Sequence, residues 1–283
     1  MTQTFVHLIG ASVLKTRQPG AHLICEATGR HHHALQTAAA QAGVPLTVVN
    51  PRQARDFARS LGRLAKTDAL DADTLRLLGQ RLQPAPTPVP EKSLRELQDL
   101  LMIRTALVDE QTAWKNRTAL LGPQAARLCQ RRQRSLEKEI VRVETAIDAL
   151  LSRPEAETLG QKAQTLCLVC GVGLRTALVL LAWLSELGQC NRRQIAALAG
   201  LAPVNRDSGQ YRGERHIAHG RAPVRKALYQ AAVVAARHNE HLRPFYQRLR
   251  AHGKPARLAL TAVARKLLVF LNRLLASPLS SHA

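Results

Sequence analysis

The stretch VPLTVVNPRQARDFARSLGRLAKTDALDAD, residues 44–73, decides how the first part of this chain folds. VPLTVVN, residues 44–50, is rich in β-branched residues and reads as a buried strand. Pro51 has the fixed φ that suits the first turn of a helix, and RQARDFARSLG behind it supplies that helix. A further helix begins near Thr67 or Asp68. Upstream, AHLICE at residues 21–26 is a second strand-like run closed by a Thr-Gly turn, and residues 31–42 are helix-permissive. Strand, helix, strand, helix is the rhythm of a parallel sheet with crossover connections.

Next comes QPAPTPVP, residues 83–90, whose alternating prolines exclude a helix or a central strand. It reads as an extended linker and a boundary. In residues 91–152, aliphatic residues recur at three- and four-residue spacing (Leu94, Leu97, Leu101; Leu136, Ile140, Val143, Ile147, Leu150), and the charges nearly cancel. That pattern predicts an antiparallel helical hairpin or coiled coil turning at Gly122-Pro123. Residues 160–276 read as mainly helical, broken at 171–173, 202–213, 219–223 and 252–255. The expected fold is α/β plus all-α: an α/β domain over 1–82, a linker, a hairpin, and a basic helical domain over 160–276.

Charge narrows the function. Lys and Arg total 41 against 20 Asp and Glu, a formal net charge of +21 and a pI near 11.1. Such a chain repels its own copies and attracts polyanions, so nucleic acid leads small metabolites as the expected partner. Residues 187–283 hold 17 basic and 3 acidic side chains, which makes the last third the expected polyanion surface. The longest apolar run of the chain, Ala177 to Leu184, is far short of the roughly 20 residues of a membrane span. Five scattered cysteines and no export signal at the start predict reduced thiols in a cytoplasmic protein.

Three places carry chemistry. Asp68 and Asp71 are three apart on one expected helix face, and Glu26 ends the first expected strand. Together they suit a Mg²⁺ site for phosphoryl transfer, because close carboxylates repel unless a cation separates them. The plainer alternative is helix capping by Thr67 or Asp68. Second, the Gly-Val-Gly of LCLVCGVGLRTALVLLAWL puts Gly171 and Gly173 in a tight turn, with helix N–H groups facing outward as in a helix-hairpin-helix phosphate grip; the alternative is a packing turn. Third, the loop NRDSGQYRGERH sets Ser208 among Arg206, Arg212 and Arg215, with Arg221 and Arg225 following. A serine nucleophile attacking a phosphodiester would need such cations, and the arginines also suit phosphate contacts; a Ser-Gly turn is the alternative.

The order of these signals resembles one family. EATG, VVNPRQARDFARSLGRLAKTDALDAD, GVG, GLAPVNRDSGQYRGERHI and RKALYQAA are similar to the DEDD-type insertion-sequence transposases, over about residues 20–275. The resemblance implies a RuvC-like (RNase H fold) domain, a coiled coil and a C-terminal transposase domain. It implies that Glu26, Asp68 and Asp71 are catalytic carboxylates holding Mg²⁺, and that Ser208 is a nucleophile linking covalently to DNA. Donor and target DNA, a noncoding guide RNA and a homo-oligomer are the implied partners, with no membrane. The family's first aspartate lies on an opening strand, and no Asp or Glu precedes Glu26 here, so the expectation is a start lacking a few tens of residues. Two other readings stand beside this one. One is a non-catalytic nucleic-acid-binding remnant. The other is a metal-dependent resolvase or nuclease that cuts through the carboxylates alone and tolerates Ser208→Ala.

Overall fold

The computed structural model describes residues 20–276, apart from 28–30, 64, 66, 205–206, 209–210, 213–215 and 218. The chain divides into two compact units, residues 1–90 and 91–283. It is mostly helical with a small sheet.

In the first unit, β1 (Leu23–Glu26) pairs in parallel with β2 (Leu46–Val49), in the register Leu23 to Leu46 and Glu26 to Val49. The crossover between them is α1 (His31–Gln41). After β2 come α2 (Pro51–Ser60) and α3 (Asp68–Leu82). Alternation along the strands sorts the side chains into two layers. Leu23, Cys25, Leu46 and Val48 pack with Ala39 and Val44 on the α1 side. Ile24 and Val49 pack with Ala54, Phe57, Leu75 and Leu78 of α2 and α3 on the other. The helix starts are built as the sequence demands. Asn50 accepts the Arg52 N–H with Pro51 in the first turn, and Thr67 accepts the Leu70 N–H.

The proline-rich segment after α3 is extended and lies along the outer edge of β2. Thr87 N–H donates to the Leu46 carbonyl at 2.9 Å, and Thr87 Oγ1 accepts the Val48 N–H at 2.9 Å. Thr47 Oγ1 donates to the Ala85 carbonyl, and Gln36 Nε2 donates to the Pro88 carbonyl. Prolines lack the N–H of a full strand, so one threonine supplies the edge pairing instead. Residues 1–19, and with them the expectation about an opening strand, lie outside the described residues.

The second unit opens with α4 (Lys92–Thr118) and α5 (Pro123–Leu151), a long antiparallel pair. Arg104 pairs across it with Glu144 at 3.0 Å, and Arg132 with Glu110 at 2.9 Å. A single-turn 3₁₀ helix leads to α6 (Glu157–Cys167), α7 (Leu174–Trp183) and α8 (Arg192–Leu198). After the 203–217 segment come α9 (Ala222–His238), α10 (Leu242–Ala251) and α11 (Ala256–Ala276). Leu97, Leu150, Leu166, Leu180, Leu228 and Leu267 belong to one continuous core that joins the hairpin's open end to these helices. The 202–213 stretch, expected as a plain break, contains short ladders. β3 (Pro203–Val204) pairs antiparallel with β6 (His216–Ile217), and β4 (Asp207–Ser208) with β5 (Tyr211–Arg212). Two-residue strands have no periodicity to read, which is why the sequence shows only a loop.

Candidate functional site

Glu26 ends β1 on the same face as Ile24, so it points toward the layer formed by α2 and α3. On α3, Asp71, Thr74, Leu75 and Leu78 share one helical stripe. A Cβ on Gly79 would stand 2.8 Å from Ile24 Cγ1, so α3 lies close against β1 and its stripe faces the sheet. Glu26 and Asp71 therefore line one cleft of about 360 Å³, together with Arg55, Arg59, Arg63 and Thr74. Both carboxylates are half-buried.

Asp68 does not line this cleft; it sits one turn earlier on α3, exposed beside the cap made by Thr67. Asp73 is occupied elsewhere. Arg76 bonds it at 2.6 Å and Arg63 at 2.8 Å, and these two guanidiniums hold its carboxyl below the usual aspartate range. Through the same side chain, Arg63 donates to Thr74 Oγ1 at 3.2 Å, which fixes it at the cleft wall.

Does this cleft suit Mg²⁺? Among the described residues, no group of three His, Cys, Asp or Glu side chains is close enough to hold a metal ion. The cleft offers two carboxylates, and this ion commonly takes one or two from protein and fills its remaining positions with water and phosphate oxygen. Arg55 and Arg59 follow one another at i, i+4 on α2 and add positive charge beside that pair. Sequence reasoning missed these arginines, although the i, i+4 spacing after the strand was visible in RQARDFARS.

The other expected residues are dispersed. Gly171 has φ 103°, and a Cβ there would stand 2.8 Å from Ala235 Cβ and 3.0 Å from the Ala231 carbonyl oxygen. Its glycine is required by close packing against α9. Gly173 caps α7 and is exposed, with open space around its Cβ position. Arg221 forms a two-pronged ion pair with Glu186, at 2.5 and 2.6 Å. Burial alone would raise the Glu186 carboxyl, but the Arg221 fork and a backbone bond hold it below the ordinary range. Arg225 donates to the His219 carbonyl and so braces the loop before α9. Both arginines thus have a structural partner. Ser208 and Arg212 lie on the β4–β5 ladder, Ser208 opposite Tyr211 and Arg212 opposite Asp207. Arg206 and Arg215 fall outside the described residues.

A parallel α/β unit that gathers carboxylates and arginines in one cleft, in a chain of net charge +21, defines a class: proteins directed at polyanions. Comparison with known proteins narrows it. Residues 1–121 match the DEDD transposase model of the IS110 group, and residues 163–247 match the model described as the transposase IS116/IS110/IS902 family. The chain belongs to this family of insertion-element transposases. Pilin gene-inverting proteins of Moraxella bovis and Moraxella lacunata are each 28% identical over 254 residues, covering 87% of this chain and 77% of theirs. An uncharacterized 43.6 kDa protein of insertion element IS110 from Streptomyces coelicolor is 33% identical over 126 residues, 44% of this chain and 30% of its own.

The family match corrects one expectation. The matched N-terminal model is of the DEDD type, which indicates a RuvC-like, nuclease-type transposase acting through carboxylates. The serine-nucleophile recombinase expected from Ser208 is overturned by that finding. The RDSG context misled because a serine beside glycine and arginines looks the same in sequence whether it attacks phosphate or closes a β-turn. No helix among the described residues is long and apolar enough to cross a membrane.

Proposed function

We propose that this chain cuts DNA at the ends of an insertion element through the carboxylates of its first unit. The observation that carries this reading is the shared cleft of Glu26 and Asp71, flanked by Arg55 and Arg59. Glu26 and Asp71 would hold a Mg²⁺ ion, which supplies Lewis-acid charge at the scissile phosphate and an activated water. Arg55 and Arg59 bind the flanking phosphate oxygens and offset charge that builds up as the phosphodiester is attacked. Arg63, tied to Asp73 and Thr74, keeps the α2–α3 turn in place behind them. Asp68, exposed one turn earlier on α3 and outside the cleft lining, would add negative charge to the approach rather than hold the ion directly.

A RuvC-like arrangement of the first unit and a coiled-coil role for the α4–α5 hairpin belong to the same reading. So do donor and target DNA, an element-encoded guide RNA and a homo-oligomer as partners. The names of the Moraxella relatives, which invert a pilin gene, support an activity that rearranges DNA. Gly173 at the start of α7 and Arg212 on β5 are proposed phosphate contacts of the second unit.

The test is cleavage of a labelled duplex carrying the element end, with the adjacent noncoding RNA added. Cutting is expected with Mg²⁺ and is lost on chelation. Glu26→Gln and Asp71→Asn should each slow it by about a thousandfold, and Asp68→Asn by less. Full activity in Glu26→Gln and Asp71→Asn would refute the reading.

A further inference from the structure

In the second unit, a groove of about 1080 Å³ runs between the start of α8, the β3–β6 ladder and one stripe of α11. Its cations are Arg192 and Arg193 from α8, and Arg257, Arg265 and Lys266 from α11. The α11 residues follow at the spacing of a single helix face, with Leu258 and Val269 between and beyond them. Leu201 and Phe245 complete an apolar lining. Among the described residues, no acidic side chain lines the groove and no carboxylate pairs with any of those five cations. Lys266 Nζ instead lies 4.6 Å from the centre of the Phe245 ring.

The groove is also held in shape. Asn191 caps α8 in a reciprocal capping box with Gln194, which fixes the two arginines that follow it. From α11, the buried Asn272 donates to the Cys190 carbonyl at 2.7 Å and accepts the Gly188 N–H at 2.9 Å. The turn before α8 is therefore pinned to the helix that forms the opposite wall.

Cations around an apolar trough fit a ligand that has both a phosphate backbone and exposed flat apolar faces. A duplex buries its base faces and presents phosphates, sugars and base edges, so it offers this lining no flat apolar face to cover. We propose that this groove binds a single-stranded stretch of nucleic acid, phosphates on the arginines and bases against Leu258, Val269 and Phe245. This goes beyond the cutting reaction, because the groove belongs wholly to the second unit and needs no metal.

The test measures fluorescence anisotropy of a labelled 12-nucleotide single strand with the full chain in EDTA, across a salt series, beside the matching duplex. The double variant Arg257→Glu/Arg265→Glu should weaken single-strand binding at least about tenfold and lower the salt slope by about 1.4, for two lost phosphate contacts. Leu258→Ser, at a residue 49% exposed, should weaken it about threefold with the slope unchanged. Arg237→Glu, exposed on α9 away from the groove, should leave single-strand affinity within about twofold. Circular dichroism checks folding; should the double variant misfold, Leu258→Ser and Lys266→Gln carry the test. The proposal is overturned by unchanged single-strand binding in the groove variants, or by an equal loss in Arg237→Glu. It is likewise overturned if duplex binding falls as far, or if polyglutamate competes as well as the single strand.

Discussion

The two units are stabilised by different means. Among the described residues, the second has one continuous core of 29 buried residues, drawn from the hairpin and from most of the helices behind it. The described residues of the first divide their apolar contacts into two clusters of three buried residues each, one on either face of the β1–β2 pair. Area removed from water sets most of folding free energy, so these clusters predict the greater stability for the second unit. The first relies on polar fastenings: Thr87 on β2, Gln36 on Pro88, Arg63 on Asp73. Half-buried carboxylates proposed to meet a cation and a phosphate would not suit a dry, tightly packed core. The contrast teaches that the proposed chemistry lies in the less apolar unit, and the extensive packing in the other.

Core truncations test that contrast hardest. Leu267→Ala, at a fully buried position, should cost about 2–5 kcal/mol and lower the unfolding midpoint of the second unit in urea. Leu78→Ala, in one of the small clusters, should unfold only the first unit and leave the helical signal of the second intact. A single transition in which both units melt together would break the comparison. Thr87→Val is a smaller step: it removes the hydroxyl that accepts the Val48 N–H, at about 1 kcal/mol. Hydrogen exchange should then speed at Val48 without changing in α7 or α11.

The smallest effect concerns Glu186 and Arg221. The folded chain depresses the Glu186 carboxyl, so the pair adds stability above the ordinary glutamate range, and that stability is lost as pH falls through the depressed value. Glu186→Gln should flatten the acid limb of the stability curve for the second unit. An unaltered limb would show that the ion pair contributes nothing there.

Much of this was legible in the sequence, for identifiable reasons. β-branched alternation marked β2, and Asn50, Pro51 and Thr67 marked the helix starts, because caps and fixed φ angles are local signals. The proline-rich segment was legible as extended, yet its attachment to β2 depends on a threonine almost forty residues along the chain, which no local pattern reveals. Glu26, Asp68 and Asp71 were legible together as a strand end and a helix face, and Glu26 and Asp71 share a cleft in the fold. Asp68 was grouped with them by spacing and by the family resemblance, and neither shows which carboxylates line one cleft. Arg221 and Arg225 looked like phosphate contacts because a basic run reads alike whether its partner is DNA, Glu186 or a carbonyl. The groove residues escaped notice because α8 and α11 are far apart in sequence and meet only in the fold.

The central claim is that cutting depends on the carboxylate cleft of the first unit, with no protein–DNA bond through Ser208. The most direct measurement compares the unaltered chain, Ser208→Ala and Asp71→Asn on labelled element-end DNA with Mg²⁺, resolved on denaturing gels. The account predicts cut DNA and no covalent protein–DNA band from the unaltered chain, the same from Ser208→Ala, and no cutting from Asp71→Asn. A covalent band that vanishes in Ser208→Ala, with cutting lost alongside it, would contradict the account.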